Sequence, residues 1–249
     1  IHSCDVYFYT VGQRMGIDTI AEYAKQFGLG QETGVELPSE RVGIVPSTAW
    51  KQKARNQPWY PGETISAAIG QGYVTVTPSQ MASVIGTVAN DGVSIKPRLV
   101  QAVMNRATGE RAEFPPTVRG KLAVKPATIA LIKEALADVV TKGTATRAKS
   151  SLVTIGGKTG TAQTAALRTG PEKDIPKRLR DHAWFVAFAP VEAPRIAVAV
   201  LAEHMGHGGS AAAPLAKDVI EAYVKAYPEV LNGVPAGRRT QSADARPKT

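Results

Sequence analysis

Thr77-Pro78 opens the clearest helical signal in the chain, a capping hydroxyl followed by proline at the first helical position. Apolar residues recur after it at Met81, Val84, Ile85 and Val88, the i, i+3, i+4, i+7 spacing of one buried helix face, and Gly92 ends the run. A second amphipathic run over 126–142 carries a stripe of Ile129, Ile132, Leu136 and Val140. Weaker patterns predict a helix over 6–15 and another reaching about residue 27 with Asp18 as its cap. A final helix is expected over 211–227. Residues 28–62 are rich in Gly, Pro and polar side chains and read as a long irregular connection, pinned by burial of Trp50, Trp59 and Tyr60.

Strand patterns crowd the second half. Residues 98–104 alternate, and 105–109 supply a turn. Three further candidates lie around 158–163, 183–189 and 196–202. In the last, Ile196, Val198 and Val200 point one way, and Ala197, Ala199 and Leu201 the other. Both faces are apolar, so this strand requires cover on both sides, and the alanines let a helix approach closely. The last helix can supply that cover. Helices first, then closely spaced strands and a closing helix, predict one α+β domain with an antiparallel sheet packed by helices. Its expected extent is 1–228, with 229–249 a basic tail too rich in Pro, Gly, Arg and Ser to hold order.

Composition changes this picture little. At 249 residues, 43% hydrophobic and 20% charged, the chain has the make-up of a globular protein. No stretch approaches the roughly 20 apolar residues that span a bilayer. It opens on Ile1 with neither Met nor leader, as expected of a piece of a longer protein. The net charge of +9 favours anionic surroundings and concentrates in 173–180 and in Arg238, Arg239, Arg246 and Lys248. Neither cluster has the interleaved aromatics that stack bases, so nucleic acid is not an expected partner. The single cysteine, Cys4, excludes an internal disulfide.

The chemistry concentrates in Gly156-Gly157-Lys158-Thr159-Gly160-Thr161-Ala162. Where a strand is expected, Lys158 offers a cation, Thr159 a hydroxyl, Thr161 a backbone N–H, and Gly160 room for a ligand's backbone. Such a set can hold a carboxylate and polarise a carbonyl beside it. A surface strand with an incidental lysine has the same local pattern. Ser3-Cys4-Asp5 precedes Tyr7-Phe8-Tyr9. Read alone, Ser3 or Asp5 is simply a helix N-cap.

Together these segments resemble the penicillin-binding proteins and serine β-lactamases, whose motif set is S-x-x-K, S-D-N and K-T-G. Lys158-Thr159-Gly160 matches the third motif, and Ser3-Cys4-Asp5 looks like a variant of the second. Ala68-Ile69-Gly70-Gln71-Gly72, Thr77-Pro78-Ser79-Gln80-Met81 and the strand from His182 to Pro190 are similar to class B penicillin-binding proteins. Trp50-Lys51-Gln52-Lys53, Trp59-Tyr60 and the S-x-D form of the second motif resemble the cell-elongation, penicillin-binding protein 2 group.

The resemblance implies the transpeptidase fold and a peptidoglycan D,D-transpeptidase trapped covalently by β-lactam antibiotics. It implies Ser3, Asp5 and Lys158 as catalytic groups, with Lys158 also depressing the pKa of the S-x-x-K lysine by like-charge repulsion. Lys158, Thr159, Gly160 and Thr161 would bind the stem peptide, with the Thr161 N–H in the oxyanion hole. Two departures stand out. No serine here has a lysine three positions on, so the nucleophile and its base are expected upstream, and the chain alone is expected to be inactive. Asp5 replaces an Asn, and an ionised Asp only accepts hydrogen bonds. No cofactor is required for catalysis. Some members use a cysteine at the position of Cys4 as one zinc ligand, with the other ligands upstream. His204 and His207 form an H-x-x-H without an evident third ligand. Implied partners are stem peptides and a membrane glycosyltransferase of the elongation machinery, with the domain periplasmic and anchored by one helix in the inner membrane. A β-lactam sensor or pseudo-enzyme shares the same motifs. A β-lactamase would need a device to activate water, and no carboxylate can be placed in that role.

Overall fold

The computed structural model describes residues 1–164 and 175–232. Lys173 and the four basic tail residues lie outside them, as does most of the expected tail. The body reaches past the expected boundary at 228, because Pro228–Leu231 forms a 3-10 turn with Val230 buried in the core.

The chain begins with α1 (Asp5–Met15) and α2 (Ile17–Gln26), joined at Gly16, whose φ of 78° favours glycine. The cap of α2 is Gly16, and Asp18 does not serve as one. The Asp18 carboxylate instead accepts the N–H and hydroxyl of Thr48 at 2.9 and 2.8 Å, tying α2 to the start of α3 (Thr48–Arg55). A negative charge there complements the helix N-terminus. The expected irregular stretch over 28–62 thus contains a helix, capped by Ser47, whose hydroxyl accepts the Trp50 N–H at 3.0 Å. It was illegible because TAWKQKAR has almost no apolar stripe.

Next come α4 (Pro61–Ala68) and α5 (Pro78–Ala89), with the expected Thr77 cap completed by Gln80 into a capping box. The loop between α2 and α5 is pinned by Trp50 and Trp59, whose rings pack on Tyr73 at 5.1 and 6.3 Å. Tyr60 is exposed, contrary to the expected burial, and its ring covers the buried Lys51 at 4.3 Å. Lys51 pairs with Glu63.

Two small antiparallel pairs follow: β1 (Val93–Ile95) with β4 (Val118–Lys121), and β2 (Ala102–Met104) with β3 (Arg111–Glu113). α6 (Pro126–Lys142) leads into β5 (Gly156–Ala162), β6 (His182–Ala189) and β7 (Ile196–Ala202), a sheet of order β5-β6-β7, antiparallel throughout. The closing helix is α7 (Ala212–Ala226). The expected double cover of β7 is present, but by two helices. Ile196, Val198 and Val200 pack on the α7 side with Phe185, Ala187 and Ile220, and Ala199 meets Ile85 and Ala89 of α5 on the other. Gly86 of α5 faces Ala197, where an added Cβ would make an ordinary contact of 3.7 Å with the alanine methyl. Among the described residues no helix is long and apolar enough to cross a membrane.

Candidate active site

The site lies where the edge strand β5 meets the start of α1. Ahead of the lysine, Gly156 and Gly157 leave room for aromatic rings of β6. A Cβ at Gly157 would lie 2.5 Å from the Phe185 ring, and one at Gly156 would lie 2.9 Å from that of Phe188. These glycines set β5 against β6, which delivers Lys158 to the edge of the sheet. Gly160 also has an intramolecular neighbour. A Cβ on Gly208 would lie 2.5 Å from the Gly160 carbonyl oxygen, so the loop before α7 already approaches this peptide closely.

Lys158 is half-buried, and its Nζ donates to Ser3 Oγ at 2.7 Å, across 155 positions of sequence. The same ammonium reaches the Thr159 carbonyl at 2.8 Å and its Oγ1 at 3.4 Å. Three contacts match the three N–H donors of a lysine. Burial pushes the Lys158 pKa below the ordinary lysine value, and the charge of Asp5 works against that shift. Ser3 has φ of 49°, an uncommon conformation for a residue with a side chain, set immediately before the helix. Neither Ser3 nor Asp5 is the N-cap of α1. That position is Cys4, which makes no side-chain capping bond, and Asp5 is the first helical residue. The capping expectation fails because the Ser3 hydroxyl faces Lys158 across the cleft instead of α1's own N–H groups.

Thr159 is braced from behind, with its hydroxyl 2.8 Å from that of Thr144, in the turn after α6. Thr161 is braced from the side, as its carbonyl accepts Gln71 Nε2 at 2.7 Å. Gln71 Oε1 in turn accepts the Gln163 N–H at 3.4 Å. Successive N–H and C=O pairs of a strand alternate between its two edges, so the Thr161 N–H shares the edge on which its carbonyl meets Gln71. That edge faces away from β6. Thr144 and Gln71 escaped the sequence reading as site residues. Gln71 carries one signal, its place between Gly70 and Gly72, both with positive φ (75° and 69°). Thr144 carries none.

The penicillin binding protein transpeptidase domain family matches residues 1–221 of this chain. The chain belongs to that family. Within it, the chain is similar to the peptidoglycan D,D-transpeptidase MrdA of Acinetobacter baumannii, 43% identical over 89% of this chain and 33% of that protein. A crystal structure of Pseudomonas aeruginosa PBP2 in complex with WCK 5153 superposes with a TM-score of 0.76 at 34% identity, covering 98% of this chain and 50% of that one. The PBP2 of Helicobacter pylori, in complex with MreC, gives 0.74 at 33% identity over 90% of this chain and 39% of that one. This is a PBP2-like transpeptidase domain, as its motifs suggested. It spans about a third of the length of the curated relatives it matches.

Cys4 is exposed and free, and among the described residues no group of three or more His, Cys, Asp or Glu side chains stands together. His204 pairs with His182 rather than with His207. Its N–H donates to His182 Nδ1 at 2.9 Å, and the two rings lie 4.5 Å apart.

Proposed function

We propose that this chain carries the substrate-binding and proton-transfer side of a peptidoglycan D,D-transpeptidase active site. The observation that carries the reading is the 2.7 Å contact between Lys158 and Ser3, which brings the two separated motifs to one point beside Thr159 and Thr161. The terminal carboxylate of a D-Ala-D-Ala stem peptide would be held by the Lys158 charge and the Thr159 hydroxyl. The scissile carbonyl oxygen would rest on the Thr161 N–H, where negative charge develops in the tetrahedral intermediate. Because Ser3 Oγ accepts from Lys158, its own proton is free to point into the cleft. Ser3 would give that proton to the departing D-Ala amine and regain one from Lys158, whose lowered pKa makes it the readier donor. Asp5 would act through its charge, keeping Lys158 protonated until that moment.

The nucleophilic serine is not among these residues, since the chain has no S-x-x-K. It would pass its hydroxyl proton to its own upstream lysine and form the new ester bond as the C–N bond breaks, and an amine of a neighbouring stem, giving up a proton in turn, would then displace it. β-Lactams, mimicking the D-Ala-D-Ala end, would stop at the acyl-enzyme. We place the parent protein in the periplasm on one inner-membrane helix, acting with a membrane glycosyltransferase of the elongation machinery. The MreC complex of the Helicobacter relative supports that setting.

Intact-mass spectrometry after exposure to benzylpenicillin tests the reading on the full-length protein. The native protein is expected to gain one penicillin, and Lys158→Ala none. Acylation of Lys158→Ala at the native rate would refute the role of the lysine. No adduct on the native protein would favour the sensor or pseudo-enzyme, and an adduct on this chain alone would place a nucleophile within it.

A further inference from the structure

We infer that Gln71 is a positioning residue for the acyl-donor cleft, its carboxamide taking the place of a missing strand on the open edge of β5. The inference rests on the transpeptidase reading above.

Among the described residues, β5 has β6 on one side and no strand on the other. An unpaired edge presents N–H and C=O groups to whatever approaches it, and its peptides can tilt without losing a ladder bond. At Thr161 a tilt matters, because the N–H there must point at a developing oxyanion, and that stabilisation depends on donors fixed before the reaction. Gln71 supplies the fixing. Its amide donates to the Thr161 carbonyl at 2.7 Å and accepts from the Gln163 N–H at 3.4 Å. A residue of a neighbouring strand, whose N–H and C=O share one edge, would offer the same pairing of one donor and one acceptor.

The side chain is itself held by local geometry. Gly70 and Gly72, at φ of 75° and 69°, turn the backbone sharply on both sides. The Gln71 N–H bonds to the Ser66 carbonyl at 2.9 Å, which fastens it to α4. Because α4 packs on α1, the helix that follows Ser3, the splint joins the helical layer carrying Ser3 to the strand carrying Lys158. A second consequence concerns the ligand. With the Gln163 N–H occupied, an extended donor peptide can pair with β5 as far as Thr161 but not beyond it. The Thr161 carbonyl keeps a second lone pair, so it can accept a donor-peptide N–H alongside Gln71.

The test uses the full-length protein and stopped-flow acylation by a fluorescent penicillin, resolving the binding constant from the acylation rate across pH. Gln71→Ala should lower the acylation rate about tenfold with little change in binding, less than the roughly 10²–10³ lost with an oxyanion donor itself. Gln71→Glu separates positioning from general support. As a carboxylate it repels the Thr161 carbonyl. Once protonated it regains one donor, while keeping an acceptor for Gln163. Its rate relative to native should therefore recover as pH falls through the carboxyl range, whereas the Gln71→Ala ratio stays flat. Three results overturn the inference: both variants acylating at the native rate, Gln71→Ala acylating faster, or a Gln71→Glu ratio flat in pH with the loss tracking a drop in melting temperature. A native protein that does not acylate would instead remove the transpeptidase reading, and the inference with it.

Discussion

Gly208 offers a clean test of how β5 is seated, because its φ is one that any residue adopts and only space forbids a side chain. A Cβ there would lie 2.2 Å from the Trp184 carbonyl oxygen, 2.5 Å from that of Gly160 and 3.1 Å from the Gly160 nitrogen. All three are backbone atoms of paired strands, so no side chain can swing aside. In Gly208→Ala the loop must retreat by roughly an ångström to reach ordinary van der Waals separation. Overpacking of this kind costs about 1–3 kcal/mol. The retreat also moves the Gly208 carbonyl, which accepts the N–H groups of Ala212 and Ala213 at 3.1 and 2.9 Å. α7 has no side-chain cap, so those bonds hold its first turn. For a chain of this size each kcal/mol lowers a melting point by about 2–4 °C. The assay is fluorescent-penicillin labelling of the full-length protein after a brief hold at rising temperature, which reports this domain rather than its neighbours. Gly208→Ala should lose labelling about 2–12 °C below native. Gly62→Ala is the control, since its Cβ meets nothing within 4 Å. It should match native or gain slightly, alanine being the better helix former. Equal loss temperatures for the two variants would refute the seating of this loop on the strand.

Asp5→Asn removes the charge that raises the Lys158 pKa and leaves burial unopposed. The alkaline limb of penicillin acylation, where Lys158 loses its proton, should therefore move to lower pH. An unmoved limb, or one moved upward, would refute the electrostatic role given to Asp5. Glu63→Ala should lower stability at neutral pH by about 3 kcal/mol, because it strands the charge of Lys51, which is 1% exposed. Burial of Glu63 raises its pKa, but hydrogen bonds from Lys51, Tyr60 and Tyr73 and the Lys51 charge hold it below the usual carboxylate value. A depressed carboxylate adds stability above its unfolded pKa and loses it as pH falls through the folded one. The gap between native and Glu63→Ala in denaturant melts should accordingly close at acid pH, and a gap constant with pH would refute the pairing.

How much of this was legible follows from the range of each signal. α5 was readable because its cap, first-turn proline and apolar stripe all lie within about a dozen residues. β6 and β7 were readable because strands buried on both faces are apolar runs. α3 was missed because its stability comes from outside its own sequence, through Asp18 at its N-terminus and Trp50 on Tyr73. β1 and β4 are three and four residues long, too short to show a period, and they pair residues as far apart as Val93 and Lys121. Lys158 and Ser3 were named through family likeness, since no local pattern links positions 155 apart. Gln71 lay within a stretch that shares that likeness but with no role attached to it, and Thr144 lacked even the likeness. Their roles are hydrogen bonds to β5 from distant segments, which only the folded chain brings into range.

What the distant contacts share is direction. Lys158 reaches the start of α1 through Ser3, Thr161 reaches the turn after α4 through Gln71, and Thr159 reaches the turn after α6 through Thr144. Each ties β5, an edge strand, to a helical segment that a small residue brings near. Gly12 lets α1 lie against α4, where an added Cβ would come within 2.4 Å of the Ala68 methyl. At Gly143 an added Cβ would meet the Ile1 carbonyl at 2.7 Å, so the turn after α6 touches the segment that carries Ser3. Small residues in these places cost helix propensity, about 1 kcal/mol for a glycine inside a helix. They bring the helical elements close enough for single hydrogen bonds to reach the strand. A cleft built this way leaves one edge of β5 free of other strands while holding its individual peptides still. The proposed function, in which β5 pairs with a peptide ligand and stabilises charge on it, requires that combination.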